Sequence, residues 1–141
     1  MTNSSGGPRH GKRSNGEPPL VAIVDDDASV RTSTARLVRS FGYRTEAFAS
    51  GQDFLSSPAA AQTVCLLLDV RMPGMDGLEV QRQVAVRDLR VPVVFISGRA
   101  SEEEERRARS AGAIDFLRKP VDAAVLLQIL QEVISKTGGR T

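Results

Sequence analysis

Four short apolar runs in this sequence end in residues suited to phosphate chemistry. Leu20–Val24 runs into Asp25, Asp26 and Asp27, and Thr63–Leu68 runs into Asp69. Val91–Ile96 leads to Ser97 and Gly98, and Ala113–Leu117 to Arg118, Lys119 and Pro120. Neighbouring carboxylates beside a low-dielectric core are costly unless a positive charge joins them. Oxygen ligands with places left for water suit Mg²⁺, with Mn²⁺ as a substitute. The Ser97 hydroxyl can donate to an anionic oxygen, and Gly98 lets a ligand approach the backbone. Lys119 is one of only three lysines against sixteen arginines. Its ammonium is a compact point charge for a phosphate oxygen. Together these groups surround one carboxylate with a divalent cation, a hydroxyl and an ammonium. Carboxylates act as nucleophiles toward phosphoryl groups, and the acyl phosphate formed is reactive enough for a reversible switch.

Such a site needs its strand ends side by side, and the hydrophobic pattern supplies that. Leu20–Val24 reads as a buried strand. Ala28–Phe41 places Val30, Leu37, Val38 and Phe41 on one helical face, with Asp27 as its cap and Gly42 ending it. Tyr43–Phe48 alternates as a strand, and Gln52–Ser57 reads as a short helix. Thr63–Leu68 is a strand, and Leu78–Val86 is a helix after a Pro/Gly turn. Val91–Ile96 and Ala113–Leu117 are strands flanking a helix, Ser101–Ala111, whose Ser101 and Glu104 form a capping box. Asp122 caps a last helix with Val125, Leu126, Ile129, Leu130, Val133 and Ile134 in a wide apolar stripe. Five strands alternating with five helices predict an α/β fold, one parallel sheet covered on both faces. Ligands in such sheets lie beyond the carboxyl ends of the strands.

The 141 residues allow one domain with a real core. The formal charge of +2 comes from the tail, where Arg9, Lys12 and Arg13 face Glu17; beyond it the charges balance. A neutral domain without a basic stripe is a poor nucleic-acid binder. No apolar stretch reaches the length of a membrane span, and no signal peptide is apparent, so a cytoplasmic protein is expected. Residues 1–19 are polar and rich in Gly, Ser and Pro, which predicts a disordered tail. His10, the single histidine, lies in that tail, where nothing pre-organises it. Cys65, the single cysteine, falls within an apolar run and reads as a buried small hydrophobe.

The ordered set resembles the receiver domain of two-component response regulators over about residues 20–137, leaving 138–141 as a disordered end. The resemblance rests on Val24-Asp25-Asp26, Leu68-Asp69, Arg71 to Gly77, Ile96-Ser97-Gly98 and Lys119-Pro120, with 28 residues from Asp69 to Ser97 and 22 from Ser97 to Lys119. Arg71-Met72-Pro73 and Gly112 to Phe116 look most like the nitrogen-fixation regulator subfamily. The resemblance implies a doubly wound, flavodoxin-like sheet of order 2-1-3-4-5. It implies that Asp69 is the phosphoacceptor, and that Asp25, Asp26, Asp69 and the backbone carbonyl of Arg71 hold Mg²⁺. It makes Ser97 and Lys119 the partners of the phosphoryl oxygens, with a cis bond before Pro120, and Ser97 and Phe116 the residues that move together on activation. Arg71 and Arg99 occupy positions that tune how long the phosphoryl group survives. The implied partners are a sensor histidine kinase or a histidine phosphotransfer protein. The implied output is a downstream protein or second copy, met through the fourth helix, fifth strand and fifth helix.

The fourth helix carries three Glu-to-Arg pairs at i, i+4 and almost no apolar face, so it is expected to pack weakly. Apolar residues such as Leu127 on the last helix are candidates for the partner interface. Nothing after the last helix forms a DNA-binding module, which leads us to expect a stand-alone regulator or one lacking its output domain. Such a protein is a phosphoacceptor and not a turnover enzyme. The chief rival is a haloacid-dehalogenase-type phosphatase using Asp25 and Asp27 as an Asp-x-Asp pair, but it leaves Asp69 unexplained.

Overall fold

The structure is a computed structural model and describes residues 16–138. Most of the predicted tail, His10 included, and the last three residues lie outside the described residues. The near edge of that tail is tied to the fold. Pro19 O accepts from Arg44 N at 3.0 Å and Pro18 O from Arg44 Nε at 2.9 Å.

The strands are β1 (Leu20–Val24), β2 (Arg44–Phe48), β3 (Thr63–Leu68), β4 (Val93–Ser97) and β5 (Asp115–Arg118). The helices are α1 (Ala28–Ser40), α2 (Gly51–Leu55), α3 (Gly77–Val86), α4 (Glu102–Ser110) and α5 (Ala123–Gly138). All pairings are parallel, and the order is β2-β1-β3-β4-β5, as the sequence led us to expect. β1, β3 and β4 are buried along their whole length, because both faces are covered.

Two apolar layers hold the sheet. On one face Val24, Leu66, Leu68 and Phe95 pack with Phe54 of α2, Val80 and Val84 of α3 and Ala108 of α4. On the other, Val21, Ile23, Leu67 and Ile96 pack with Ala35 and Val38 of α1 and Leu126, Ile129, Leu130 and Val133 of α5. Cys65 sits in this second layer, and burial pushes its thiol up to about 12. The α4 helix contributes only Ala108 as a buried residue, in line with its weak apolar face.

The helices start where the sequence places caps. Asp27, Ser50, Asp76 and Ser101 each accept from the backbone of the following turn, and Ser101 with Glu104 completes the capping box. Gly42 and Gly112, with φ of 102° and 103°, end α1 and α4 in the left-handed region.

Several boundaries differ from expectation. The β4 strand begins at Val93 and includes Ser97, since Pro92 has no N–H to give the ladder. A 3-10 turn at Pro58–Ala61, capped by Ser57, had no counterpart in the periodic pattern. The α5 helix runs through Gly138, one residue into the predicted disordered end. Val125 is 43 % exposed, because Leu126, Leu130 and Val133 take the inward positions, and Leu127 is half-buried.

Candidate functional site

The sheet register brings the predicted residues to one edge. Val24, Leu68, Phe95 and Phe116 lie in one row across β1, β3, β4 and β5. One step on, Asp25 follows Val24 and Asp69 follows Leu68. The next row pairs Ser97 with Arg118, and Lys119 N donates to Ser97 O at 3.0 Å. Four chain segments thus deliver acids, a hydroxyl and an ammonium to the carboxyl end of the sheet.

Asp25, Asp26 and Asp69 each place a carboxylate oxygen within 4.8 Å of the others. Asp25 and Asp69 are buried and Asp26 is exposed. Lys119 Nζ lies 2.9 Å from Asp25 Oδ2 and 3.8 Å from Asp69 Oδ2. The Lys119–Pro120 peptide is cis, in agreement with the resemblance. Burial raises the Asp69 pKa above the ordinary carboxylate value, and the Asp25 charge raises it further. Lys119 and the backbone N–H groups of Arg71 and Val70 oppose that rise without overcoming it.

Asp69 stands on a tight backbone junction. Gly77 N donates to Val70 O at 2.9 Å, and a Cβ on Gly77 would lie 2.2 Å from the Asp69 carbonyl oxygen. Only glycine lets α3 start this close to the Asp69 backbone. Asp27 serves elsewhere: Oδ1 accepts from Ser29 N, Ser29 Oγ and Val30 N, which lowers its pKa and uses it as the cap of α1. That removes the second acid of the Asp-x-Asp reading.

Ser97 is fully buried, and its Oγ accepts from Arg99 N at 3.4 Å. Phe116 is 5 % exposed, with its ring stacked on Phe95 at 5.6 Å and the Arg118 guanidinium 5.1 Å from its centroid. The Arg99 side chain is exposed at the edge of the site. The Arg71 guanidinium pairs with Glu104 of α4 at 2.9 Å.

The sequence pattern missed how α4 is held. Glu105 pairs with Arg118 of β5 at 2.8 Å and with Arg109 at 3.1 Å, while Arg109 also reaches Asp115 at 3.3 Å. Glu105–Arg109 is the expected i, i+4 pair that forms, and Arg106 pairs with Glu103 at i, i+3 instead. Gln81 of α3 adds a buried bond, Nε2 to Ala108 O at 3.0 Å. The run of four glutamates signalled an ionic helix but not its partners.

The three acids fit a hard divalent cation. Their donors are all carboxylate oxygens, and one ammonium cannot balance three charges of which two are buried. No helix among the described residues is long and apolar enough to cross a membrane.

Residues 21–131 match the response regulator receiver domain family. The chain is similar to the response regulator protein TmoT of Ectopseudomonas mendocina, at 40 % identity over 85 % of this chain and 54 % of the relative. It is also similar to nodulation protein W of Bradyrhizobium diazoefficiens, at 42 % identity over 72 % and 44 %. The solved structure of the response regulator StyR superposes with a TM-score of 0.78 at 39 % identity, covering 87 % of this chain and 62 % of that one. The chain spans about half the length of the curated relatives it matches.

Proposed function

The chain belongs to the response regulator receiver domain family, and from that premise we propose that it is switched by phosphorylation of Asp69. The observation that carries this reading is the placement of Asp69: a buried carboxylate grouped with Asp25 and Asp26 and 3.8 Å from Lys119 Nζ.

Asp69 must be ionised to react. An Asp69 carboxylate oxygen bonds to phosphorus as the donor's P–N bond breaks. The electron pair leaves with a histidine imidazole, which takes a proton from solvent. Lys119 supplies positive charge to a phosphoryl oxygen, and Ser97 donates its hydroxyl to another. Asp25, Asp26, Asp69 and the backbone carbonyl of Arg71 are the groups we assign to hold Mg²⁺. When bound, the ion neutralises charge on the phosphoryl oxygens. The phosphoryl source is a histidine kinase or histidine phosphotransfer protein in the cytoplasm.

The signal leaves through α4, β5 and α5. Phe116 of β5 is stacked on Phe95 of β4, and ion pairs of Glu105 and Arg109 join α4 to β5. Movement of Ser97 toward the phosphoryl group biases the packing of Phe116 and shifts this face toward a downstream protein or a second copy. Arg71 and Arg99 adjust the lifetime of the phosphoryl group. Incubation with acetyl phosphate and Mg²⁺ tests the reading: label is expected on the wild type and is lost in Asp69→Asn.

A further inference from the structure

Arg71 stands two residues past Asp69, yet its guanidinium serves α4. Nε and Nη2 both donate to Glu104 Oε1, at 3.2 and 2.9 Å. The same oxygen accepts from Ser101 N at 2.9 Å, the reciprocal half of the capping box that starts α4. One carboxylate oxygen therefore takes two donors from the loop behind Asp69 and one from the helix start. These two segments are 33 residues apart in sequence.

We propose that Glu104 is a positioning residue for the phosphoryl site: it holds Arg71 on α4 and thereby sets how long the phosphoryl group on Asp69 survives. The proposal rests on the reading of Asp69 as phosphoacceptor.

A phosphoryl group brings roughly two negative charges at neutral pH, against one on Glu104. The guanidinium fork fits phosphate oxygens at least as well as a carboxylate. The present pair is partly exposed, with side-chain exposures of 48 % and 21 %, and such pairs are weak enough to exchange partners. Arg71 is thus shared between two anions, and Glu104 sets the balance. Arg71 on the phosphoryl group covers an oxygen and obstructs the approaching water. In hydrolysis, water oxygen bonds to phosphorus and the P–O bond to Asp69 breaks. The products are a free carboxylate and inorganic phosphate, with the proton passing to solvent. A stronger hold by Glu104 leaves that path open.

The test compares acyl-phosphate half-lives, after labelling with acetyl phosphate and Mg²⁺, in wild type, Glu104→Gln, Arg71→Ala and the double variant. Glutamine keeps an acceptor for the capping box, so Ser101 still caps α4. Glu104→Gln is expected to lengthen the half-life twofold to fivefold, and to change nothing in the Arg71→Ala background. Equal half-lives for wild type and Glu104→Gln overturn the proposal. So does an equal change in both backgrounds, which marks a merely structural role. Absence of label on the wild type itself refutes the reading of Asp69, and the proposal with it.

Discussion

Lys119 is bonded to Asp25, at 2.9 Å, and stands off from Asp69 at 3.8 Å. The ammonium therefore rests on an acid that we assign to the metal and not on the carboxylate that we propose as the nucleophile. A cation held by Asp25 would supply positive charge that Lys119 alone now gives that carboxylate, and would free the lysine to serve an oxygen near Asp69.

Removing that ammonium leaves two buried carboxylates facing each other. Breaking a fully buried ion pair costs about 3–5 kcal/mol. The Lys119 side chain is 23 % exposed, so water recovers part of that cost. Lys119→Met is expected to lose about 2 kcal/mol in urea denaturation without divalent ions, together with most of the phosphorylation rate. Unchanged stability contradicts this charge balance.

Asp69 has a pKa raised by burial and by Asp25. A group whose pKa is higher in the folded than in the unfolded chain favours the fold while protonated. That contribution is lost as pH rises through the folded value. At neutral pH the ionised Asp69 therefore opposes folding. Asp69→Asn is expected to raise the melting temperature at pH 7 by roughly 4 °C, the equivalent of about 1 kcal/mol in a domain of this size. The gain should shrink on acidification, as the wild-type carboxyl becomes protonated. Thermal unfolding without divalent ions checks both parts.

At Gly77, a Cβ would meet the Asp69 carbonyl oxygen at 2.2 Å and Val70 Cα at 2.9 Å. Both are backbone atoms, so relief requires the start of α3 to move. Gly77→Ala is expected to cost about 3 kcal/mol, in the range of overpacked cores, despite the better helix propensity of alanine. Circular dichroism melts measure the loss, and the labelling rate should fall with it because Asp69 shifts.

The α4 helix is held to β5 largely by charge. Hydrogen bonds from Arg118 and Arg109 lower the Glu105 pKa. Its stabilising contribution is therefore present above the usual glutamate range and is lost as pH falls through the folded value. Exposed pairs are individually weak, so Glu105→Gln should speed amide exchange in α4 by roughly threefold without changing the sheet. High salt should produce the same change in the wild type.

The sheet and the acids were legible because each strand ends in the residue it delivers. Val24 leads into Asp25, Leu68 into Asp69, and the alternating elements force those ends together. The capping box at Ser101 was equally local. The partners of the arginines were not. Arg71 meets Glu104 and Arg118 meets Glu105 across 33 and 13 residues. Long exposed side chains choose among neighbours by fractions of a kcal/mol, which helical spacing alone does not decide. The same limit applies to Val125, where a one-position rotation of α5 separates the buried stripe from solvent.

The most direct measurement is intact-mass and radiolabel analysis of wild type and Asp69→Asn after incubation with a small phosphodonor and Mg²⁺. The wild type is expected to gain one acid-stable, base-labile phosphoryl group that disappears when the cation is chelated beforehand, and Asp69→Asn to gain none. Equal labelling of the two proteins, or labelling indifferent to the divalent ion, contradicts the assignment of Asp69 as the nucleophile.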